Sequence, residues 1–537
     1  MRIVNAIGIL LLLPFSYVSA GSANRVSYQS PEVTPWPKPA SFTNGTATLR
    51  VTSAPLGITA TTTSQSQILS EAINRTLGAI AAHSPPSPLH AAHKGGAASS
   101  SVSGRCALAV TVASDDESLG ATTNESYVLT VAKDGTASLD APTVYGALHG
   151  LQSFASLWER ASSSDDLAVR GLPWSIADAP RFSHRATLID TSRHFLQLAT
   201  LEAHIDAMAQ SKLNVLHWHL VDFQAFPFAS QAQPKLVLGA YSAQETYTID
   251  DVKHIVRYAK ERGVRVMAEI DTPGHTTSWG VGYPNIIAAC PNALAVNPGN
   301  GCLDPSVNET FEVVEALLGE VGAIAPDSFF HLGGDEVRFV CWNESSRVKA
   351  FMVAQGFGCC STSSFAKLEQ YYENRLFQSA ARALGKDTTL VLYQEVFDNN
   401  VTLPSKVAFD VWLKGGALGH LSIPEEIAKI VKSGHEVILA NGNDGNWYLN
   451  DGWGNGKTVS LWPDVYALDP LNGTEAYNLT PAEIARVIGG EASLWGEEID
   501  DSNLAMKAWP RCVLHSMHQH CVAYPPPLST FPFFSLS

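Results

Sequence analysis

From residue 184 onward the chain repeats one unit: a short apolar run ending in polar or charged residues, then a helix-like segment. The runs are ATLIDTSR (186–193), NVLHWHLVD (214–222), VRVMAEID (264–271), SFFHLGGDE (328–336), TTLVLYQEVFD (388–398), VAFDVWL (407–413), EVILANG (436–442) and GGEASLW (489–495). Short apolar runs of this length suit buried strands, and their alternation with helices suits parallel β-α units. Eight such units favour an α/β fold of the (β/α)8 TIM-barrel type, with a doubly wound sheet as the competing arrangement. In a barrel, functional residues gather where the strands end. Here those ends carry Arg193, His217, His219, Asp222, Glu269, Asp271, Asp335, Glu336, Glu395, Trp412, Trp495 and Glu497.

The N-terminal third has a different rhythm. Residues 21–50 are rich in Ser, Pro and Thr and read as extended. AINRTLGAIAAH and TVYGALHGLQSFASLWER (143–160) have helical spacing of apolar residues. CALAVTVAS and ESYVLTVAKDGTASLDA alternate like strands, with Asp134-Gly135 as a hairpin turn. Residues 83–105 are low in complexity and read as a loop. A small α+β domain over 21–180 therefore precedes a catalytic barrel over 184–511, with a tail at 512–537.

The first residues, MRIVNAIGILLLLPFSYVSA, combine a basic start, an apolar stretch and small residues ending at Ala20. This is the pattern of a secretory signal peptide over 1–20. No later run reaches the ~18 apolar residues that span a membrane. Eight Asn-x-Ser/Thr sequons, at Asn44, Asn74, Asn124, Asn308, Asn343, Asn400, Asn472 and Asn478, fit a glycosylated protein in a secreted, lysosomal or vacuolar space. The eight cysteines lack a C-x-x-C pair, which disfavours a zinc site and favours a few disulfides in an oxidising compartment. A net charge of −16 argues against nucleic acid and anionic membranes as partners.

At the barrel mouth the chemistry narrows. The stretch FFHLGGDEVRFVCW (329–342) places Asp335 and Glu336 side by side at the end of an apolar run. No phosphate-binding glycine loop accompanies them. Carboxylates among tryptophans suit a sugar, whose C–H face stacks on aromatics and whose hydroxyls need charged partners. Ordinary glycoside hydrolysis uses two carboxylates about 5–9.5 Å apart on opposite sides of the bond, which sequence neighbours cannot easily supply. A substrate bearing a 2-acetamido group removes that requirement. Its own carbonyl oxygen can attack the anomeric carbon, so that one acid and one orienting carboxylate suffice.

HLGGDEV, with RFSHRATLIDTSRHF, KLNVLHWHLVDFQAFP, EIDTPGHTTSWG, YQEVFDN, NWYLN and GGEASLWGEEID in the same order, resembles glycoside hydrolase family 20, the β-N-acetylhexosaminidases. The likeness runs from about residue 40 to Arg511. It implies an exo-acting, retaining enzyme that removes terminal GlcNAc or GalNAc from chitin oligosaccharides or glycans, with no metal or organic cofactor. Glu336 matches the acid/base, Asp335 the carboxylate on the acetamide N–H, and Tyr448 the hydroxyl on the acetamide oxygen. Asp222 and His275 match a relay to Glu336. Arg193 and Glu497 match groups on the sugar hydroxyls, and Trp412, Trp495, Tyr393 and Trp447 match the pocket walls, with Tyr393 in the place of a usual tryptophan. Cys290 and Cys341 match a disulfide. Family members are often dimers, so the resemblance also carries an expectation of a homodimer.

The chain departs from the family pattern at several points. Phe223 replaces a frequent acid after Asp222, Arg338 stands where an acid is common, and Asp451 follows WYLN where relatives that accept anionic sugars have an arginine. The last departure implies a preference for neutral terminal sugars. The tail after Arg511 does not resemble the family's closing helix, so the last barrel helix is expected to be missing or altered. Two further readings remain: an inactive carbohydrate-binding relic, and a barrel glycosidase that uses two protein carboxylates.

Overall fold

A computed structural model describes residues 35–53, 56–82, 101–160, 166–413, 421–441, 448–449, 461–509 and 511–512. The signal-peptide segment, most of the low-complexity segment, Trp447, Asp451 and the tail beyond residue 512 lie outside the described residues. The expectation of an altered closing helix falls there too; the described chain ends with a short helix, Leu504–Ala508, and residues 511–512.

The N-terminal part contains strands β1 (Ser41–Thr43), β2 (Ala47–Val51), β3 (Ile58–Thr62), β4 (Ser101–Ser103), β5 (Cys106–Val112), β6 (Tyr127–Val131), β7 (Thr136–Ala141), β8 (Trp158–Arg160), β9 (Leu167–Leu172) and β10 (Trp174–Asp178). They form two sheets, ordered β1-β10-β6-β7-β5-β3 and β4-β2-β9-β8. The β6–β7 hairpin turns at Gly135, whose φ of 90° favours glycine. Helices Gln67–Ala81 and Val144–Ser156 begin at Ser66 and Thr143, whose hydroxyls accept backbone N–H groups.

Two sequence expectations need correction here. Residues 101–103, placed in the loop 83–105, form β4 and pair in parallel with β2. The helix expected across 143–160 stops at Ser156. Buried Trp158 instead begins β8 and pairs with Val169 of β9, so sheet packing overrides helical spacing.

The eight apolar runs all become strands: β11 (His184–Asp190), β12 (Val215–His219), β13 (Arg265–Glu269), β14 (Phe329–His331), β15 (Thr389–Tyr393), β16 (Val407–Val411), β17 (Glu436–Leu439) and β18 (Val487–Leu494). They pair in parallel and in order, and β18 pairs with β11 to close the barrel. Closure excludes the doubly wound sheet. Alternate strand residues face inward. One interior cluster is apolar: Ala186, Val215, Met267, Phe329, Val391, Ala408 and Ile438. Further along the strands, buried His217, His219, Glu269, His331, Asp410 and Glu491 replace it with ionisable groups.

Buried ion pairs join the two parts. Arg185 donates to both oxygens of Glu125 at 3.0 and 2.9 Å. Lys212 donates to Asp178 at 2.7 Å, and Tyr127 donates to the same oxygen at 2.8 Å. Removing one partner of such a pair would strand a charge in the interior and cost ~3–5 kcal/mol.

Candidate active site

β14 has only three residues, and the chain then turns through Leu332, Gly333 and Gly334 to the two carboxylates. Gly333 and Gly334 have φ of 72° and 98°. A Cβ on Gly333 would lie 1.8 Å from Oδ1 of Asp271, so the glycine is required by close packing as well as by backbone angle. The Gly334 N–H donates to that same oxygen at 2.9 Å. Glu336 and His275 both have positive φ, 47° and 55°. Such conformations cost ~1–3 kcal/mol in a residue with a side chain and are held only where the surroundings fix them.

His275 comes from the loop after β13 and meets both carboxylates. Its Nε2 lies 3.6 Å from Asp335 and 3.7 Å from Glu336, while its Nδ1 lies 3.1 Å from both oxygens of Asp222. Asp222 also accepts from His219 Nε2 at 2.9 Å. From there imidazoles and carboxylates alternate into the barrel. His219 Nδ1 meets Glu269 at 2.6 Å, His217 Nε2 meets Glu269 at 3.0 Å, and His217 Nδ1 meets Glu491 at 3.0 Å. The chain of paired groups therefore runs unbroken from Glu491 to the mouth.

The pairing sets the charges. Burial pulls His275 down, but the carboxylates of Asp222 and Asp335 more than reverse this and raise its pKa to about 9. Burial would raise Asp222, yet Arg193 and His275 hold it well below the usual carboxylate range. His331 differs: burial lowers its pKa to about 3, and its Nδ1 accepts the Gly333 N–H at 3.0 Å, as a neutral imidazole must. Asp271 is raised well above its usual range, by burial and then by the neighbouring Asp335 charge.

Aromatic rings form much of the remaining cavity wall. The Trp412 and Tyr448 rings stack at 6.3 Å and 13°. Trp412 donates its indole N–H to Glu395 at 3.1 Å. Trp495 stands edge-on to His219 and lies 5.2 Å from the Arg193 guanidinium. Arg193 meets Asp190 and Asp222 at 2.9 Å each, Gln224 at 3.0 Å and Glu497 at 3.9 Å. Arg193, His275, Asp335, Glu336, Tyr393, Trp412, Tyr448, Trp495 and Glu497 together line one cavity. A wider cleft of about 1300 Å³ lies at the other end of the barrel, beside Phe182 and Val487. Its charged residues, Glu125 and Arg181, are already paired with Arg185 and Asp469, so it holds no convergent chemistry.

The comparison with known proteins agrees with this geometry. The family described as "Glycosyl hydrolase family 20, catalytic domain" matches residues 182–516, and one described as "beta-acetyl hexosaminidase like" matches residues 35–157. The chain belongs to glycosyl hydrolase family 20. It is 35% identical over 518 residues to "Beta-hexosaminidase 1" of Arabidopsis thaliana, covering 94% of this chain and 88% of that protein. It is 38% identical over 390 residues to "Beta-hexosaminidase subunit alpha" of Rattus norvegicus, covering 72% of this chain and 69% of that one. Among solved structures, the Flavobacterium johnsoniae chitobiase shares the fold at a TM-score of 0.74 and 24% identity, covering 92% of this chain and 70% of that one. The catalytic-domain match extends past Arg511 to residue 516, a little beyond the point where the quoted family segments end.

Within this family-20 barrel, nine of the candidate residues share the cavity and Asp222 lies fully buried behind it. Cys290 and Cys341 are disulfide-bonded and anchor the loop after Glu336. Cys359 and Cys360 are also bonded, a pairing that spacing did not suggest. Tyr393 is buried against the His331 ring at 4.5 Å and closes the cavity floor. His217 and His219 are buried in the barrel interior, each between two carboxylates.

Four supporting residues escaped the sequence reading. Asp190 holds Arg193 and the Gly496 N–H, Gln224 accepts from Arg193, and Gln394 accepts the N–H groups of Trp412 and Leu413. Glu491 ends the buried charge chain. Asp190 was detectable, since it sits at the end of the run ATLIDTSR; the other three carry no local signal. Donor atoms also converge in His217/Glu269/His331, His217/Asp410/Glu491 and Asp222/Asp271/His275, and the pairings above already engage most of these atoms.

Proposed function

We propose that this glycoside hydrolase is an exo-acting β-N-acetylhexosaminidase whose substrate supplies its own nucleophile. One observation supports the reading most strongly: Asp335 and Glu336 both approach the same nitrogen of His275, at 3.6 and 3.7 Å. They therefore act beside one imidazole, in a cavity otherwise walled by Tyr393, Trp412, Tyr448 and Trp495. Neighbouring carboxylates that share one imidazole favour a reaction in which one orients the substrate's own nucleophile and the other is the acid.

In this reading the terminal N-acetylhexosamine stacks its C–H face on Trp412 and Trp495, with Tyr393 and Trp447 completing the walls. Arg193 and Glu497 hold its outer hydroxyls. Glu336 gives its proton to the glycosidic oxygen as the C1–O bond breaks. The acetamide carbonyl oxygen closes onto C1, forming an oxazolinium ion. Asp335 accepts the acetamide N–H and balances the positive charge, while Tyr448 donates to the carbonyl oxygen. Glu336, now ionised, takes a proton from water, which attacks C1 and opens the ring. Two inversions at C1 leave the product with retained configuration. His275 carries positive charge between Asp222 and Glu336, which supports Glu336 as an anion in the second step.

We further propose cleavage of residues 1–20 on export, the division into 21–180, 184–511 and 512–537, and action in a secreted, lysosomal or vacuolar space as a homodimer. Exposure of all eight sequon asparagines supports glycosylation at each. The test of the mechanism is proton NMR during cleavage of 4-nitrophenyl β-N-acetylglucosaminide, which releases a single reducing sugar. The β-anomer of GlcNAc must appear first; initial α-anomer would overturn the reading.

A further inference from the structure

The loop that carries Glu336 also carries an arginine that the mechanism above does not use. Arg338 Nη2 lies 2.8 Å from Glu336 Oε1. Its side chain is 48% exposed, against 32% for Glu336, so it approaches from the solvent side of the pocket. Its backbone is fixed. The Arg338 carbonyl accepts the Cys341 N–H at 3.1 Å and faces the Cys302 thiol at 3.8 Å, beside the Cys290–Cys341 disulfide. The guanidinium is therefore a positioned charge, held at its root and free at its tip to leave Glu336.

Its place follows from the reaction. Glu336 must touch the glycosidic oxygen, so a group 2.8 Å from that carboxylate stands beside the leaving residue. The terminal sugar, by contrast, lies on the other side, among Trp412, Tyr448 and Trp495. On the neighbouring rim Phe223 stands next to Asp222, its ring 6.1 Å from His275. In the free enzyme Arg338 pairs with Glu336. A general acid must be protonated when substrate is bound, and a protonated carboxyl no longer attracts the cation. Arg338 then lacks its anion unless the substrate brings one.

Resting on the reading above, we propose that Arg338 is a specificity-determining residue for the leaving side. It selects saccharides in which the N-acetylhexosamine is β-linked to a residue bearing an anionic group, carboxylate or sulfate ester, next to the linkage. The terminal sugar itself remains neutral. Arginine suits both anions, because its planar fork of donors matches either in two-point fashion. The overall charge of −16 repels anions generally, so a local cation at this point is what would admit them.

The test compares kcat/KM on three disaccharides that share the terminal N-acetylglucosamine and its linkage. The partner residue is glucose, glucuronate or a sulfated glucose. Wild type is expected to favour the anionic substrates by about fivefold over the neutral one, the scale of one exposed charge pair. The advantage should shrink at high salt. In Arg338→Gln the anionic-to-neutral ratio should fall to about one, and in Arg338→Glu below it. Ratios cancel any general loss of activity in the variants. If only one anion is favoured, the site is specific to that group. A ratio of one in wild type, or one that Arg338→Gln leaves unchanged, overturns the proposal. Loss of activity on the neutral disaccharide in wild type would instead sink the hexosaminidase reading itself.

Discussion

Arg193 Nη2 lies 2.9 Å from Asp222 Oδ2, joining a guanidinium that is 8% exposed to a carboxylate with no exposure at all. The same carboxylate meets His219 and His275. One buried anion thus balances the residue proposed to hold the sugar and the imidazole that faces the acid/base. Asp222→Ala should strand three cations or donors in the interior. We expect a loss of ~3–5 kcal/mol of stability and a fall in kcat of at least ~10²-fold, measured by thermal unfolding and by turnover of an aryl N-acetylglucosaminide. Near-normal kcat would mean that His275 does not need this partner.

His275 gives a pH signature. Its pKa is raised to about 9 in the folded protein, because the Asp222 and Asp335 charges outweigh burial. The unfolded value is about 6.5. A group raised in this way stabilises the fold fully below pH ~6.5, and the contribution fades as pH rises through about 9. Wild type should therefore melt above His275→Gln at pH 5–6, with the gap closing at pH 10. A gap independent of pH would contradict the charge assigned to His275.

Glu373 should act with the same slope. It is fully buried on helix Thr362–Ala383, and among the described residues neither of its oxygens has a hydrogen-bond partner. Burial, and then the nearby Glu369, push its pKa well above the usual range. The unfolded carboxyl ionises near pH 4.3 while the folded one stays protonated, so this site loses stability as pH rises above that value. Glu373→Gln mimics the protonated form. Melting should rise by roughly 2–4 °C at pH 7.5 and stay unchanged at pH 4, as scanning calorimetry would reveal.

The disulfide between Cys290 and Cys341 closes a separation of 51 residues. Replacing both cysteines with alanine should cost ~2–4 kcal/mol by the chain-entropy account. Because the bond braces the loop bearing Glu336 and Arg338, kcat should fall before global unfolding begins. Parallel loss of activity and melting temperature would show instead that the bond serves stability alone.

The barrel was legible because its strands are buried on both faces and therefore read as short continuous apolar runs, each ending where the chemistry sits. Asp335 and Glu336 stood out for the same reason: two acids at the end of an apolar run have no structural motive. Glu491 and Asp410 did not, because a carboxylate inside a strand reveals its purpose only when His217 arrives from another strand. Gln224 and Gln394 were silent for a related reason, since only the Arg193 side chain and the Trp412 and Leu413 backbone, brought near by the fold, give these amides work. Trp158 was misread because helical spacing ran on into a residue whose packing belonged to a sheet.

The central claim is that the substrate's acetamido group is the nucleophile and Glu336 the acid. The most direct measurement is the hydrolysis rate of a 4-nitrophenyl β-N-acetylglucosaminide beside the matching β-glucoside, with wild type and Glu336→Gln. We predict turnover of the acetamido sugar alone, with little or none of the glucoside. The variant should lose far more rate on di-N-acetylchitobiose, whose leaving group needs the proton, than on the activated aryl glycoside. Comparable rates on the acetamido sugar and the glucoside would contradict substrate assistance and require a second protein carboxylate as nucleophile.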